Sequence, residues 1–188
     1  MHYNSFYQFA LKLFKENGIR CISLKELQAR AKENLIEPIP KDNNKQIIVE
    51  HCVSLFRKEV TETILLACQT NKPPFQQLAD LFYELAHYLG NINAAFVYDI
   101  KKHYPAASKS LDQLQQELYH QKVLKLLELA QQNGNIANTL NIDLELEILN
   151  QHILFLLEQR RKRKEQAFSQ LFNQIFSTRF EGLELRSS

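Results

Sequence analysis

Helix-breaking residues are scarce in this chain. It holds four glycines and five prolines in 188 residues, while Leu, Gln, Glu, Lys and Ala are common. Few breakers among strong helix formers predict an all-α protein. The cysteines, Cys21, Cys52 and Cys68, are odd in number and lack metal-ligand spacing. That excludes a disulfide framework and predicts reduced, buried, small apolar side chains in a cytoplasmic protein. No apolar run reaches the length of a membrane span, and Phe6 and Phe9 alternate with polar residues where a signal peptide would be apolar. There is no internal repeat, glycine-rich phosphate loop, nucleophile elbow or metal motif. The six histidines share no ligand spacing, and Glu145 and Glu147 do not share a helical face. No enzyme, cofactor, metal or membrane partner is therefore expected. Neither sign of charge dominates, since the net charge is +2. The first sixty residues carry ten Lys/Arg against seven Asp/Glu, a weak basic bias.

The stretch from Ile22 to Val49, ISLKELQARAKENLIEPIPKDNNKQIIV, organises the rest. Ser23 followed by Glu26 is a capping box. Leu24, Leu27 and Ala31 then share a face at helical spacing, with Lys25, Gln28, Arg30 and Lys32 outward. A turn is expected near Ala31 to Asn34, and Asn34 can cap a further helix with Glu37 three residues on. The pattern then breaks at Pro38 and Pro40. Each removes a backbone donor and biases the residue before it, Glu37 or Ile39, towards extended geometry. Two interior prolines cost a helix roughly 6 kcal/mol, so EPIP is expected as an extended loop. Glu33, Glu37 and Asp42 add negative charge there.

Periodicity predicts about nine helices. The first covers Asn4 to Asn17 with a stripe of Phe6, Phe9, Ala10, Leu13 and Phe14, closed by Gly18. After the proline loop, helices are expected from about Asn44 to Thr70, Phe75 to Leu89 and Asn93 to His103. Pro105 can open the next, which runs to about Asn133 with Gly134 as its cap. The last two, from Ile142 to about Gln159 and through Phe168 to Phe180, are apolar on more than one face. Such helices need a second partner, often another subunit. The run RRKRK, Arg160 to Lys164, reads as a solvated connection between them.

FALKLFKENGIRCISLKELQARA resembles the opening of the tetracycline-repressor (TetR) family of bacterial regulators, in which an Ala-x-x-Leu-Phe helix, a Gly and a capped second helix follow in order. KDNNKQIIVEH is similar to the segment where that family's third helix hands over to its fourth. FVYDIKKHYP, the Gly134 loop with NIDLELEIL, and IFSTRFEGL resemble further family segments. The resemblance spans nearly the whole chain in short pieces. It implies a DNA-binding domain over 1–46 and a ligand-binding and dimerisation domain over 47–188. It also implies a homodimer paired through the last two helices, and a ligand that changes the spacing of two DNA heads. The chain departs from the family in its turn, Lys32, Glu33 and Asn34, and in the third-helix position, Leu35 to Lys41.

Candidate phosphate contacts are Lys25, Arg30, Lys32, Lys41, Asn43 and Lys45. The plainer reading of each is a solvated helix face. Phe56, Phe82, Tyr83, His87, Phe96, Tyr98, Tyr119 and Phe155 are candidates to line a cavity for a small apolar or aromatic ligand, or else are ordinary core. Ile153, Leu157, Phe168, Leu171, Phe172 and Ile175 are candidates for the dimer interface. Two functions follow: a ligand-responsive transcriptional regulator bound to a double-stranded operator, or a sensor or protein-interaction module of the same fold that no longer binds DNA.

Overall fold

The computed structural model describes residues 4–36, 44–68, 71–162 and 168–175; within these, the side chains of 119, 120, 153, 154, 157, 160 and 161 lie outside the description. Among the described residues there are eight α-helices and no β-strand. They are α1 (Asn4–Asn17), α2 (Leu24–Glu33), α3 (Lys45–Cys68), α4 (Pro74–Gly90), α5 (Ala94–His103), α6 (Pro105–Gln116), α7 (Leu124–Gln132) and α8 (Ile142–Lys162). Residues 168–175 are also helical. The predicted all-α class is what the chain adopts. None of these helices is long and apolar enough to cross a membrane.

The chain divides into two compact units. One comprises Met1–Thr61 and Ile92–Leu114, the other Glu62–Asn91 and Gln115–Ser188. In the first, α1 packs on α2 and α5. Its stripe is buried through Phe6, Ala10, Leu13 and Phe14, Leu27 and Ala31 are buried from α2, and Ile48, Val49, Cys52, Val53 and Phe56 from α3. Gly18 ends α1 at φ +85°, a backbone that side-chain-bearing residues avoid. A Cβ there would stand 2.8 Å from the Ala95 Cβ, so the glycine also permits the close approach of α5.

Ser23 caps α2, its hydroxyl accepting the Glu26 amide at 3.1 Å. The turn expected near Ala31 to Asn34 falls at the end of that range, because the helix continues to Glu33. Asn34 closes α2 instead of opening another helix: its amide donates to the Arg30 carbonyl at 3.1 Å and its side-chain amide to the same oxygen at 2.7 Å. Leu35 then takes φ +54° and donates to Lys32, while Ile36 donates to Ala31. That pair of bonds with a left-handed residue is a Schellman closure. The EPIP segment lies outside the described residues.

In the second unit α4 packs on α7 and α8, and α7 on α8. Leu78, Leu81, Phe82, Leu85, Leu127, Leu149 and Leu156 are buried. Pro74 and Pro105 each stand first in their helices, α4 and α6, where the missing N–H costs nothing. The predicted single helix from Pro105 to Asn133 is not uniformly α. A π-helical stretch, Glu117–Val123, separates α6 from α7. The buried residues upstream (Leu111, Leu114) and downstream (Val123, Leu126, Leu127) are out of phase for one straight α-helix, and the wider turn resets the register. Gly134 at φ +71° ends α7 with the same closure as α2, through Gly134 to Gln131 and Asn135 to Ala130 bonds.

Cys52 is buried, but Cys21 is exposed and Cys68 only half-buried. The expectation of three buried thiols is corrected. Cys21 lies on the α1–α2 loop, where backbone bonds hold the chain without needing its side chain in the core.

Candidate functional site

The α1–α2 loop is the most tightly held feature of the first unit. Its carbonyls at Ile19 and Ile22 both accept from the Lys45 ammonium, at 2.7 and 2.5 Å. That ammonium also lies 5.9 Å from the centre of the Phe14 ring. Burial pushes it below the usual lysine pKa, and the nearby Asp99 carboxylate partly opposes that shift. From the other side, the buried Asp99 carboxylate of α5 accepts the Arg20 amide at 2.8 Å. Asn93 joins the start of α5 to the end of α1. Its amide donates to the Lys15 carbonyl at 2.8 Å, its side chain donates to the Glu16 carbonyl at 3.1 Å, and its side-chain oxygen caps Ala95. Sequence reasoning missed Asp99 and Asn93. Asp99 did carry a signal, a carboxylate on the same helical face as Phe96 and Ile100.

The candidate phosphate contacts are thus placed differently from one another. Lys25 and Lys32 are exposed on α2. Arg30 pairs with Glu26 at 2.6 Å, an exposed i,i+4 contact worth about 0.3–0.5 kcal/mol and easily exchanged for a phosphate. Lys45 is held by the two loop carbonyls. Lys41 and Asn43 lie outside the described residues.

The aromatic candidates fall in both units. Phe56 and Phe96 meet edge to face at 5.4 Å in the first unit, both buried. Tyr98 is exposed, its hydroxyl accepting from Lys102 at 2.7 Å. In the second unit Phe82 is fully buried. Tyr83 shares a hydrogen bond of 3.0 Å with Ser169 and stacks on His87. Phe155 is 43% exposed on α8. Tyr119 has no described side chain.

Among the dimer candidates, Phe168 and Phe172 are buried, and both rings contact Tyr83. Leu171 and Ile175 are half-buried, and the side chains of Ile153 and Leu157 are not described. Among the described side chains of α8, the large apolar residues left in solvent are Leu144, 54% exposed, and Phe155. Eleven residues make about three turns, so these two share a face.

The second unit also carries an open groove of about 510 Å³ between the end of α3 and the middle of α4. Leu66 and Ala67 line one wall, and Tyr83 and Glu84 the other. Among the aromatic candidates with described side chains, Tyr83 alone lines it. Among the described residues no group of three His, Cys, Asp or Glu could hold a metal ion.

No family profile matches this sequence, and no curated protein sequence does. A solved structure does match: the ketosteroid transcriptional regulator KstR2 of Mycobacterium tuberculosis, with a TM-score of 0.68 and 14% identity. The alignment covers 99% of this chain and 96% of that one. At that identity the likeness is one of fold: this chain shares the fold of that regulator over nearly its whole length.

Proposed function

We propose that the chain is a ligand-responsive transcriptional regulator that acts as a homodimer, with residues 1–46 as its DNA head and 47–188 as its ligand-binding and pairing body. The observation that carries this reading is the extent of the fold likeness: it runs over 99% of the chain, so it takes in the head as well as the body. KstR2 is named for ketosteroid-linked transcription; regulation of transcription is the part of that name transferred here, as a proposal, and the steroid is not. Lys25 and Lys32 are the exposed cations of α2 best placed to meet phosphates, with Arg30 released from Glu26 on binding. Lys45 has a different role in this reading: it holds the α1–α2 loop.

A second reading, a sensor of the same fold that has lost DNA reading, is favoured by that engagement of Lys45 together with Glu33 exposed beside Lys32. Selection from random duplexes, followed by salt titration, separates the two. Phosphate contacts release counterions in proportion to their number. The regulator reading expects an enriched palindrome and a log–log salt slope of about −4 to −7 for two to four cations on each of two heads. A folded dimer that binds no duplex at low salt overturns it in favour of the sensor.

A further inference from the structure

We infer that the α3–α4 groove binds a small amphipathic organic cation: an ammonium group carried on an apolar body. This rests on the regulator reading only for the consequence of binding, and it names the chemical class of the ligand. The volume of about 510 Å³ lies in the range of small-molecule clefts. Among the described residues Leu66, 69% exposed, is the most solvated large apolar side chain after Leu35, and here it sits in a concavity. Covering it with an apolar body removes that surface from water.

The charge of the lining selects the sign of the ligand. Lys72 and Asp80 pair with one another at 2.5 Å across the groove, and the side-chain amide of Gln77 fixes the link by donating to the Lys72 carbonyl at 2.7 Å. That pair is neutral as a unit. Glu84 is exposed, and among the described residues no cation pairs with it. The named lining residues therefore sum to one negative charge, carried by Glu84 beside the Tyr83 ring and facing an apolar wall. Tyr83 is anchored through Ser169 and stacked on His87, so it offers a fixed aromatic surface at little further entropic cost. A cation between a carboxylate and an aromatic ring gains from both. An anionic ligand of the same shape meets Glu84 as a like charge.

The experiment titrates the full chain with benzyltrimethylammonium and, separately, with phenylacetate, which has the same ring and the opposite charge. Amide and methyl NMR shifts of the chain report the site. Saturable perturbation of Leu66, Tyr83 and Glu84 by the cation is expected, with none by phenylacetate. Glu84→Gln is expected to weaken the cation about threefold, the loss of an exposed ion pair, and Glu84→Lys about tenfold, because it replaces that attraction with repulsion. Both substitutions are on the surface and leave the fold intact. The proposal is overturned if phenylacetate perturbs the same residues equally or if Glu84→Lys leaves the affinity unchanged. It is equally overturned if the cation perturbs none of them up to about 10 mM, above the millimolar range of so small a ligand. It also falls if Leu66→Gln converts a dimer to a monomer while cation binding persists unchanged, because the groove is then a contact between chains. None of these readouts uses DNA, so a failed duplex selection and a failed titration are distinguishable.

Discussion

Gly18 and Gly134 both sit at positive φ, yet the structure gives them different weights. An alanine at Gly134 meets nothing within 4 Å and suffers only the backbone penalty, about 1 kcal/mol. At Gly18 the same change adds a contact of 2.8 Å with the Ala95 Cβ. Gly18→Ala is expected to lose about 2–4 kcal/mol in denaturant unfolding, and Gly134→Ala about 1. Equal losses would show that α5 does not press on the loop. The Cys52 thiol makes a second prediction. Burial pushes its pKa well above 9.0, so in alkali the unfolded chain loses this proton first. Stability then falls as pH rises above about 9, by up to about 1.4 kcal/mol per unit from this group. Cys52→Ala, compared with the native chain at pH 8 to 10 by urea unfolding, is expected to fall less steeply; identical slopes would count against a buried thiol. At this scale the local features were legible. Ser23 as a cap and Gly18 as a helix terminator need only neighbours in sequence. Asp99 and Lys45 were not legible, because their partners stand 79 and 26 residues away and no local pattern records the pairing.

Among the elements, α2 carries Lys25 and Lys32, the exposed cations of the proposed DNA head. Its start was readable from the Ser23–Glu26 spacing. Its end was legible only to within Ala31 to Asn34, because these residues suit a turn as well as they suit a helix, and the Schellman closure around Leu35 depends on backbone bonds that composition does not specify. Leu35 is 89% exposed at φ +54°, a strained position with no packing in return. Leu35→Gly is expected to stabilise the chain by about 0.5–1 kcal/mol, the relief of left-handed strain less the entropy of a new glycine. A rise in melting temperature checks this, and a fall would mean that Leu35 makes a contact that this geometry does not show. The π stretch Glu117–Val123 was hidden for a related reason. It holds neither proline nor glycine, so periodicity read through it as one continuous helix.

At the scale of the whole molecule, the proposed homodimer needs an apolar face that one copy leaves uncovered. Phe168 and Phe172, expected in the pairing face, are buried against Tyr83 within the unit. Leu144 and Phe155, one of them expected in a ligand cavity, face solvent together on α8. If the chain pairs through α8, Leu144→Glu with Phe155→Glu is expected to shift its sedimentation from dimer to monomer while helicity is retained. A charge buried in such a contact costs several kcal/mol. A dimer that survives both changes would place the interface elsewhere. Apolar residues on several faces of one helix signal that more than one surface is covered. They do not say which face meets the same chain and which meets another.

Composition and periodicity were enough for the all-α class and for most helix positions, because scarce breakers, capping residues and apolar spacing act through neighbours a few residues apart. Short family-like segments were enough for the fold, which the likeness to a solved regulator bears out. The tertiary structure decided how the candidate residues are employed: Lys45 on the loop carbonyls, Phe56 with Phe96 as core, Phe155 in solvent and Glu84 beside an open groove. A side chain's role depends on the burial and charge supplied by residues distant in sequence, and those are fixed only when the helices pack.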